Sequence, residues 1–415
     1  MPLKFEVSNY KSIKNLSLDM PPFMVLVGPN GAGKTNVVRA MEFLSELLAQ
    51  SAEPTRHATW GQIIRRENRP ARNGIHIAAS TGWVAGAQRI LVGVWITLQG
   101  KVGEPDVVVT SEAVRLRTES GGALSVHRVG DKVVYDLAES DSDVLNWIVP
   151  AQGHELETHR ALVAARLENQ AAVFMTEPGL RVLNSFLGPV FRPLQQSCTV
   201  TRLRLDTTSL RSDARFNGEH GLGPSGEGLP VVVDRLRGRG ATPAKAFLPV
   251  LAALQEVYPR IEDVVPEAFA QGRVTLNFRE KGIKDPIPLD GISDGVLHAL
   301  ALLVALRQPG PGLLAIEEPE NALHPWSVRR ILERAQTPSR GRAQRQLLIT
   351  THSETVVNAV RDPKSLFIVE SGKNGTTVVP ATTKETALES ILKESGQQLG
   401  DVWMGGTLGG VPEAS

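Results

Sequence analysis

The sequence contains little cysteine and little net charge, and each shortage limits what the protein can be. Cys198 is the one cysteine among 415 residues, so the chain has no internal disulfide, and we expect a reducing compartment. We expect its thiol to be a buried apolar group rather than a nucleophile. The 45 Lys and Arg residues nearly balance the 44 Asp and Glu residues, so the overall charge does not favour a nucleic-acid partner.

Long apolar runs are also missing, and none reaches the roughly 18 residues of a membrane-spanning helix. Residues Met1–Met20 alternate apolar with polar side chains, unlike the apolar run of a secretory signal. We therefore expect a cytoplasmic protein with no membrane association. A chain of 415 residues is long enough for one α/β head that carries an inserted subdomain.

Apolar spacing in residues 1–144 predicts strands, one helix and then an antiparallel sheet. Two strands, Leu3–Val7 and Ile13–Leu18, are predicted to form a hairpin. A third strand, Phe23–Val27, leads into a predicted helix at Asn36–Ala49. Alternation then extends over Gly74–Leu137, which is typical of antiparallel strands. We expect this part to be the N-terminal portion of the head, with an antiparallel β lobe.

The middle of the chain, residues 145–242, differs from the parts on either side. Helical spacing extends over Leu145–Leu203, and Asp206–Gly228 has the Ser, Asp, Gly and Arg content of a long loop. We expect an inserted helical subdomain here.

Residues 243–415 predict strands that alternate with helices, completing an α/β head. Pro243–Tyr258 is predicted to be a helix with Thr242 as its N-cap, although Pro249 could delay the start. The other predicted elements are strands at Val274–Phe278, Gly312–Ile316 and Gln346–Thr350, helices at Gly295–Leu306 and Lys384–Ser395, and a hairpin of Leu366–Val369 with Thr376–Val379.

A glycine-rich segment between the third strand and the first helix fits a phosphate-binding pattern. Residues 28–35 are GPNGAGKT and match G-x-x-x-x-G-K-[ST] in full. Gly31 and Gly33 would let backbone N–H groups turn towards phosphates at the start of the helix. Lys34 would reach the β- and γ-phosphates, and the Thr35 hydroxyl would hold Mg²⁺. A glycine-rich connection without a ligand is the alternative, and the flanking strand and helix weigh against it.

Polar side chains also end two other predicted apolar strands. Glu317 would face the Mg²⁺ shell, and Glu318 would act as a base or orient the attacking water. A solvated strand end before a proline turn is the plain alternative. His352 follows another such strand, where ligands of open α/β sheets bind, so it could sense a γ-phosphate. A structural histidine is the alternative there.

Ser293 precedes the apolar helix that is predicted to begin near Gly295. An N-cap is the ordinary role of such a serine. A hydroxyl beside the N–H groups of a helix start also forms an anion site. If this helix start faced a second molecule, it could clamp the γ-phosphate bound there.

Five segments in order resemble the motifs of ABC-type ATPase heads. They resemble, in turn, the element before the phosphate loop, the phosphate loop, the ABC signature, Walker B with the D-loop, and the switch histidine: Asn9–Ser12, Gly28–Asn36, Ile292–Gly295, Ile316–Pro325 and Thr351–Ser353. The chain is similar to the RecF and SMC-like group over nearly its whole length. Within that group it resembles the AAA family ATPase branch, which includes the ATPase part of overcoming-lysogenization-defect proteins.

That resemblance implies a P-loop ATPase of the ABC type with ATP and Mg²⁺ as cofactors. Two heads would sandwich two ATP molecules, as a homodimer or within a larger assembly, with Ser293, Asp294 and Gly295 acting in trans. Lys34, Glu318 and His352 would serve catalysis, and Thr35 and Glu317 would hold the metal. The other nucleotide contacts would come from Lys11, Gly28, Asn30, Gly31, Ala32, Gly33 and Asn36.

The chain also departs from the pattern of this group. Glu317 stands where transporters usually carry Asp, though this branch commonly uses Glu, and Ile292 replaces the usual Leu. The Q-loop glutamine could be Gln62 or Gln152. Sustained heptads for a coiled-coil arm are missing, and the roughly 60 residues after His352 are too few for a Toprim nuclease domain. The tail Gly400–Pro412 resembles that of stand-alone ATPases often encoded beside a separate effector in phage-defence loci, and this resemblance implies a separate Toprim-like or other nuclease effector.

DNA contact and two other functions are left open by the sequence. Three basic clusters could touch phosphate backbones, although such runs are usually solvated faces: Arg65, Arg66, Arg69 and Arg72; Arg202, Arg204, Arg211 and Arg215; Arg235, Arg237 and Arg239. An ATP-clamped scaffold with little turnover is one alternative, which Glu318 makes less favoured. A transporter ATPase subunit is the other, and the motif at Asn9–Ser12 weighs against it.

Overall fold

The structure of the protein is a computed structural model. The described residues are 3–49, 60–65, 74–85, 88–100, 107–119, 122–129, 132–137, 192–215, 221–238, 242–268, 272–308, 310–337, 345–384 and 398–411. They form one large antiparallel sheet, one mostly parallel sheet and a smaller third sheet, with helices packed between and around them.

The antiparallel sheet has the strand order β2-β1-β4-β5-β6-β7-β8. Its strands are β1 Leu3–Tyr10, β2 Ile13–Met20, β4 Ile75–Ala85, β5 Gln88–Gly100, β6 Val107–Thr118, β7 Ala123–Val129 and β8 Lys132–Leu137. Alternate side chains of β1, such as Phe5 and Val7, are 1% exposed and enter the core. The predicted N-terminal hairpin and the antiparallel sheet after Gly74 are both confirmed.

The mostly parallel sheet has the order β17-β16-β3-β15-β14-β9. Its strands are β3 Phe23–Val27, β9 Val200–Leu203, β14 Leu313–Glu317, β15 Gln346–Thr351, β16 Leu366–Gly372 and β17 Gly375–Pro380. Every neighbouring pair is parallel except β16 with β17. The carboxyl ends of β3, β15 and β14 therefore meet at one edge of the sheet, which positions the candidate site.

The prediction of helix over Leu145–Leu203 is wrong at its end. Val200–Leu203 forms β9, because it pairs in parallel with Leu313–Ile316 of β14 and completes the sheet beside it. Residues 192–198 are helical, as predicted. The remainder of that range lies outside the described residues.

The third sheet contains β10 Ala214–Arg215, β11 Ile261–Ala268, β12 Arg273–Glu280 and β13 Ile287–Pro288. The predicted strand at Val274–Phe278 is confirmed within β12. We did not predict β11, since its sequence IEDVVPEA combines charged residues with a proline. β11 pairs with β12 along one edge, so its proline needs no ladder donor on the other side.

The helices with defined bounds are α1 Lys34–Leu48, α2 Trp60–Ile63, α3 Thr207–Leu210, α4 Leu229–Arg237, α5 Leu248–Val257, α6 Asp294–Arg307, α7 Pro325–Ala335, α8 Glu354–Asn358 and α9 Leu399–Met404. The predicted start of α5 at Pro243 is wrong. The helix begins at Leu248 with Pro249 in its first turn, where proline lacks no required hydrogen bond. The predicted loop Asp206–Gly228 contains α3 and β10. The helix predicted for Lys384–Ser395 lies almost wholly outside the described residues.

Two large buried cores support these layers. One core lies between the antiparallel sheet and α1, and the other surrounds α6 on the opposite side of the parallel sheet. Residues Val296–Ala305 of α6 are all buried, and each large aliphatic side chain there contributes about 1.5–3 kcal/mol through burial. The part of the chain that the structure describes holds no helix that is long and apolar enough to cross a membrane.

Candidate functional site

The glycine-rich loop connects the end of β3 to the start of α1, as the sequence predicts. Gly31 and Gly33 have φ angles of 83° and 105°, a backbone region that favours glycine. A Cβ at Gly33 would also collide with the hydroxyl of Thr376. Asn30 and Gly31 are exposed at the tip of the loop. The glycines thus leave a narrow backbone cradle that side chains would fill.

Lys34 is the buried cation of this loop, with 7% of its surface exposed. Its ammonium donates to the carbonyl oxygens of Gly28 at 2.7 Å and Pro29 at 3.0 Å. Burial lowers the pKa of Lys34, and the carboxylates of Glu318, Glu320 and Glu317 oppose that shift. A buried ammonium facing three carboxylates makes this a strongly polar site.

Glu317 ends β14 and is 4% exposed. Its Oε2 accepts a hydrogen bond from the Thr35 hydroxyl at 2.8 Å. Its Oε1 pairs with Nη1 of Arg202 on β9 at 3.0 Å, and Nε of Arg202 lies 3.3 Å from Oε2 of Glu42. The structure therefore brings the two predicted metal residues, Thr35 and Glu317, into direct contact.

Glu318 has a left-handed backbone with φ of 50°, which costs a residue other than glycine about 1–3 kcal/mol. Its N–H donates to the carbonyl oxygen of Thr350 at 2.9 Å, and this bond ties the end of β14 to β15. Its carboxylate accepts from Arg204 at 3.4 Å and from Asn321 at 3.3 Å. The carboxylates of Glu317 and Glu318 therefore contact different partners, although the two residues are adjacent.

His352 follows β15 and lies beside two carboxylates. Its Nδ1 is 3.8 Å from Oε1 of Glu318 and 3.7 Å from Oε1 of Glu320. Glu320 accepts a hydrogen bond from the Thr351 hydroxyl at 2.6 Å. The other oxygen of Glu320 is buried and has no hydrogen-bond partner among the described residues. The end of β15 thus joins the same polar cluster as the phosphate loop.

The β1–β2 bend lies next to the phosphate loop. The Ser12 hydroxyl is 2.7 Å from that of Thr376 and accepts from Asn36 Nδ2 at 2.8 Å. Thr376 in turn donates to the carbonyl oxygen of Ala32 at 3.0 Å. Lys11 has a φ of 47° and its pKa is lowered mainly by burial. Lys11 and Asn36 line one cavity of about 990 Å³, large enough for a small ligand.

The signature segment lies elsewhere on the head. Ser293 is the N-cap of α6, yet it is exposed and its hydroxyl makes no capping hydrogen bond. Asp294 pairs with Arg211 at 2.5 Å. Gly295 faces its own protomer, since a Cβ there would lie 2.6 Å from the Tyr258 hydroxyl and 3.2 Å from the carbonyl oxygen of Ala322. Within the described ranges, no hydrogen bond or ion pair joins this segment to the phosphate loop of the same chain.

Four arginines of the basic clusters that we considered for DNA contact have partners within the chain, whereas Arg66, Arg69, Arg72 and Arg239 lie outside the described residues. Arg202 pairs with Glu317. Arg211 donates to the signature segment. Arg65 is 5% exposed and donates to the Asn374 carbonyl oxygen, and Arg237 is 3% exposed and donates to Asp263. These four arginines are engaged within the chain, and DNA contact through the basic clusters stays a prediction.

Several site residues were missed by sequence reasoning or lacked a secure position. Glu320 lies within the quoted Walker B segment but received no role, and Thr376 is far from the phosphate loop in sequence. Gln62 borders the same cavity as Lys11, whereas Gln152 lies outside the described residues. No sequence signal identifies Thr376, because its contact depends on how the β16–β17 hairpin folds over the loop.

The residues present fit a nucleotide with Mg²⁺. The backbone cradle, the buried Lys34 and the positive end of α1 suit phosphates. Oxygen donors from Thr35 and Glu317 suit Mg²⁺, which proteins hold through one or two side chains together with phosphate oxygens. No group of three or more His, Cys, Asp or Glu side chains that could hold a metal alone occurs in the described part.

The parallel sheet, its phosphate loop and the polar strand ends define the class of the fold: an α/β P-loop ATPase head. A family described as "AAA domain, putative AbiEii toxin, Type IV TA system" matches residues 203–358. A second family, "AAA ATPase domain", matches residues 1–69. The two matched ranges contain the phosphate loop, the signature segment, both glutamates and the histidine.

Individual proteins are similar to this chain over different lengths. It is 55% identical over 42 residues to "Chromosome partition protein Smc" of Methanocaldococcus jannaschii, a match to 10% of this chain and 4% of that protein. The chain thus spans a small part of that relative. The structure of an "SmcHead bound to the C-winged helix domain of ScpA" has a TM-score of 0.43, at 12% identity, 91% coverage of this chain and 96% of that chain. The "SMC head domain from Thermotoga maritima" has a TM-score of 0.41, at 14% identity and 92% and 99% coverage.

Proposed function

We propose that this chain binds ATP with Mg²⁺ and hydrolyses it to ADP and phosphate, and that nucleotide occupancy controls the pairing of two copies. The hydrogen bond of 2.8 Å from Thr35 to Glu317 carries this proposal. It joins the phosphate loop to the end of β14 beside the buried Lys34. That arrangement supports one shared site for the triphosphate and the metal.

Each residue of the cluster has a role that its position supports. Thr35 and Glu317 would hold Mg²⁺, which when bound neutralises phosphate charge and fixes the oxygens in place. Lys34 supplies the cation for the phosphates. Glu318, held by its strained backbone, orients and deprotonates the attacking water. His352 lies beside Glu318 and Glu320 and would contact the γ-phosphate.

The nucleoside would occupy the cavity next to the phosphate loop. Lys11 lies at the bend of the β1–β2 hairpin, and Asn36 lies in the first turn of α1. Both residues line this cavity, which adjoins the phosphate loop. Gly28, Asn30, Gly31, Ala32 and Gly33 would contribute the backbone contacts to the phosphates.

The second half of each site would come from another copy of the chain. Ser293 is exposed at the start of the 14-residue helix α6, and its hydroxyl is free of any capping bond. A helix N-terminus with an available hydroxyl suits an anion. We propose that the Ser293 hydroxyl and the backbone of the neighbouring Asp294 and Gly295 act in trans in a homodimer, or in a larger assembly of such pairs.

The wider role would be that of a cytoplasmic nucleotide switch that works with a separate effector. The family match that names a toxin and a type IV TA system favours a role in defence. We propose a place in the overcoming-lysogenization-defect-like branch, with a Toprim-like or other nuclease as effector. DNA contact would then be made through that effector or through surfaces other than the internally paired arginines.

Replacing Glu318 by Gln tests the hydrolytic assignment. The amide keeps the shape but cannot take a proton, so we expect kcat to fall by about 10²–10⁴-fold. ATP binding should persist, and an ATP-bound dimer should accumulate. Phosphate release gives the rate, and light scattering with ATP gives the mass.

Glu262 is an exposed glutamate on β11 and provides the matched control. Glu262→Gln should hydrolyse ATP at the parent rate. If Glu318→Gln did so as well, another residue would have to be the base.

A further inference from the structure

One short stretch of chain contacts both the hydrolytic carboxylates and the signature segment. It begins at β9 in the parallel sheet and ends at Arg211, directly after α3. Arg202 binds Glu317 at 3.0 Å, and Arg204 reaches Glu318 at 3.4 Å. Its far end lies against the start of α6.

Arg211 makes two contacts with the signature segment and two with the turn that precedes it. Nη1 donates to the carbonyl oxygens of Leu289 at 2.8 Å and Asp290 at 2.9 Å. Nη2 donates to the carbonyl oxygen of Ile292 at 2.7 Å and to Oδ1 of Asp294 at 2.5 Å. A planar guanidinium presents several donors in fixed directions, so it can hold a turn of backbone in one shape.

The position of Ser293 depends on these contacts. Its own hydroxyl makes no capping hydrogen bond, so its placement comes from the backbone on either side. Arg211 binds the carbonyl of the residue before it and the side chain of the residue after it. The guanidinium therefore fixes the position of Ser293 at the start of α6.

A second contact fixes the stretch to α6. The Thr207 hydroxyl lies 3.1 Å from Nε2 of His298, which is 3% exposed inside α6. Asp206 caps α3 by accepting from the Ser209 N–H at 2.9 Å. Arg211 thus directly follows a short helix whose start is fixed against α6.

We propose that Arg211 is a positioning residue that holds Ser293 in place for the nucleotide bound by the partner copy. Arg202 and Arg204, on the same stretch, act on the carboxylates of their own site. This inference rests on the proposed function, in which Ser293 works in trans. It predicts that loss of Arg211 harms the partner's site and leaves the phosphate loop of its own chain intact.

Mixed dimers show whether loss of Arg211 damages the site of the partner copy or the site of its own chain. Arg211→Ala and Lys34→Ala chains carry different affinity tags, are co-expressed, and the heterodimer is purified through both tags. In that heterodimer one site combines the intact phosphate loop of the Arg211→Ala chain with the intact signature of the Lys34→Ala chain. We expect about half the wild-type rate per dimer, since one of two symmetric sites is whole.

The homodimers provide the other expected values. Arg211→Ala should lose about tenfold or more in kcat while its KM for ATP changes less than about threefold, because only the trans contact is displaced. The kcat of Arg211→Lys should lie between those of Arg211→Ala and the wild type, since an ammonium keeps the charge but lacks the planar set of donors. Arg329→Ala removes an exposed arginine of α7 and should hydrolyse ATP at the wild-type rate.

Two reference mixtures make the outcomes distinct. The heterodimer of Ser293→Arg with Lys34→Ala should recover activity. The heterodimer of Glu318→Gln with Lys34→Ala should not, because each substitution inactivates the nucleotide site of its own chain.

If the Ser293→Arg mixture recovers and the Arg211→Ala mixture does not, the inference about Arg211 is wrong and the composite site stands. If neither recovers, the proposed trans site fails and the inference falls with it. A wild-type rate in the Arg211→Ala homodimer would also overturn the inference.

Discussion

Glu317 is a buried carboxylate with a hydroxyl on one side and a guanidinium on the other. Its contacts are Thr35 at 2.8 Å and Arg202 at 3.0 Å. Removing one partner of a buried ion pair commonly costs about 3–5 kcal/mol, because the other charge is left uncompensated. Arg202 therefore belongs to the site, although its neighbours in sequence suggest a basic surface cluster.

Cys198 represents the opposite case, a buried group with no charge to balance. It is 2% exposed, and burial raises the pKa of its thiol to about 12. The thiolate is the reactive form, so at pH 8 the group should remain an unreactive thiol. We expect iodoacetamide to leave Cys198 unmodified in the native protein and to alkylate it in urea, as measured by intact mass. Complete labelling of the native protein within minutes would contradict its placement in the core.

Backbone contacts between strand ends assemble the site at the scale of elements. Glu318 N–H donates to the carbonyl oxygen of Thr350 at 2.9 Å, and Gly28 N–H donates to that of Thr351 at 3.4 Å. These bonds continue the pairing of β14 and β3 with β15 beyond the regular strands. The loops that carry the polar groups therefore start from a fixed common edge.

Packing at the start of α6 gives a prediction for this element. A Cβ at Gly295 would lie 2.6 Å from the Tyr258 hydroxyl and 3.2 Å from the carbonyl oxygen of Ala322. We expect Gly295→Ala to lower the free energy of unfolding by about 1–3 kcal/mol, because overpacking outweighs the helical preference of alanine.

Tyr258→Phe removes the closer of the two clashing atoms. Gly295→Ala should therefore cost less in the Tyr258→Phe background than in the wild type, which urea unfolding of the four proteins would show. Equal costs in both backgrounds would mean that the glycine is needed for another reason.

The parts of the fold that were predictable have strong local signals. The strands ending in Val27, Glu317 and Thr351 are short apolar runs, and the phosphate loop has a full motif between a strand and a helix. β9 was missed because its residues become a strand only by pairing with β14 in the sheet. Thr376 was missed for the same reason, since a tertiary contact alone brings it to Gly33.

At the scale of the whole molecule, the head has two separate faces that carry candidate site residues, and one stretch of chain joins them. The phosphate loop and the ends of β14 and β15 form the first face. The exposed tip of α6 forms the second, and Arg202 and Arg211 contact one face each. Two such faces on one head suit the proposed two-fold dimer, in which the first face of each copy meets the second face of the other.

Equilibrium binding of ATP tests the central claim, a single triphosphate site around Lys34, most directly. Calorimetric titration with Mg²⁺ and ATP should show binding to the wild type and to Lys281→Ala, an exposed control. Lys34→Ala should lose at least about hundredfold in affinity, roughly 3 kcal/mol. Binding by Lys34→Ala with the wild-type affinity would contradict the account.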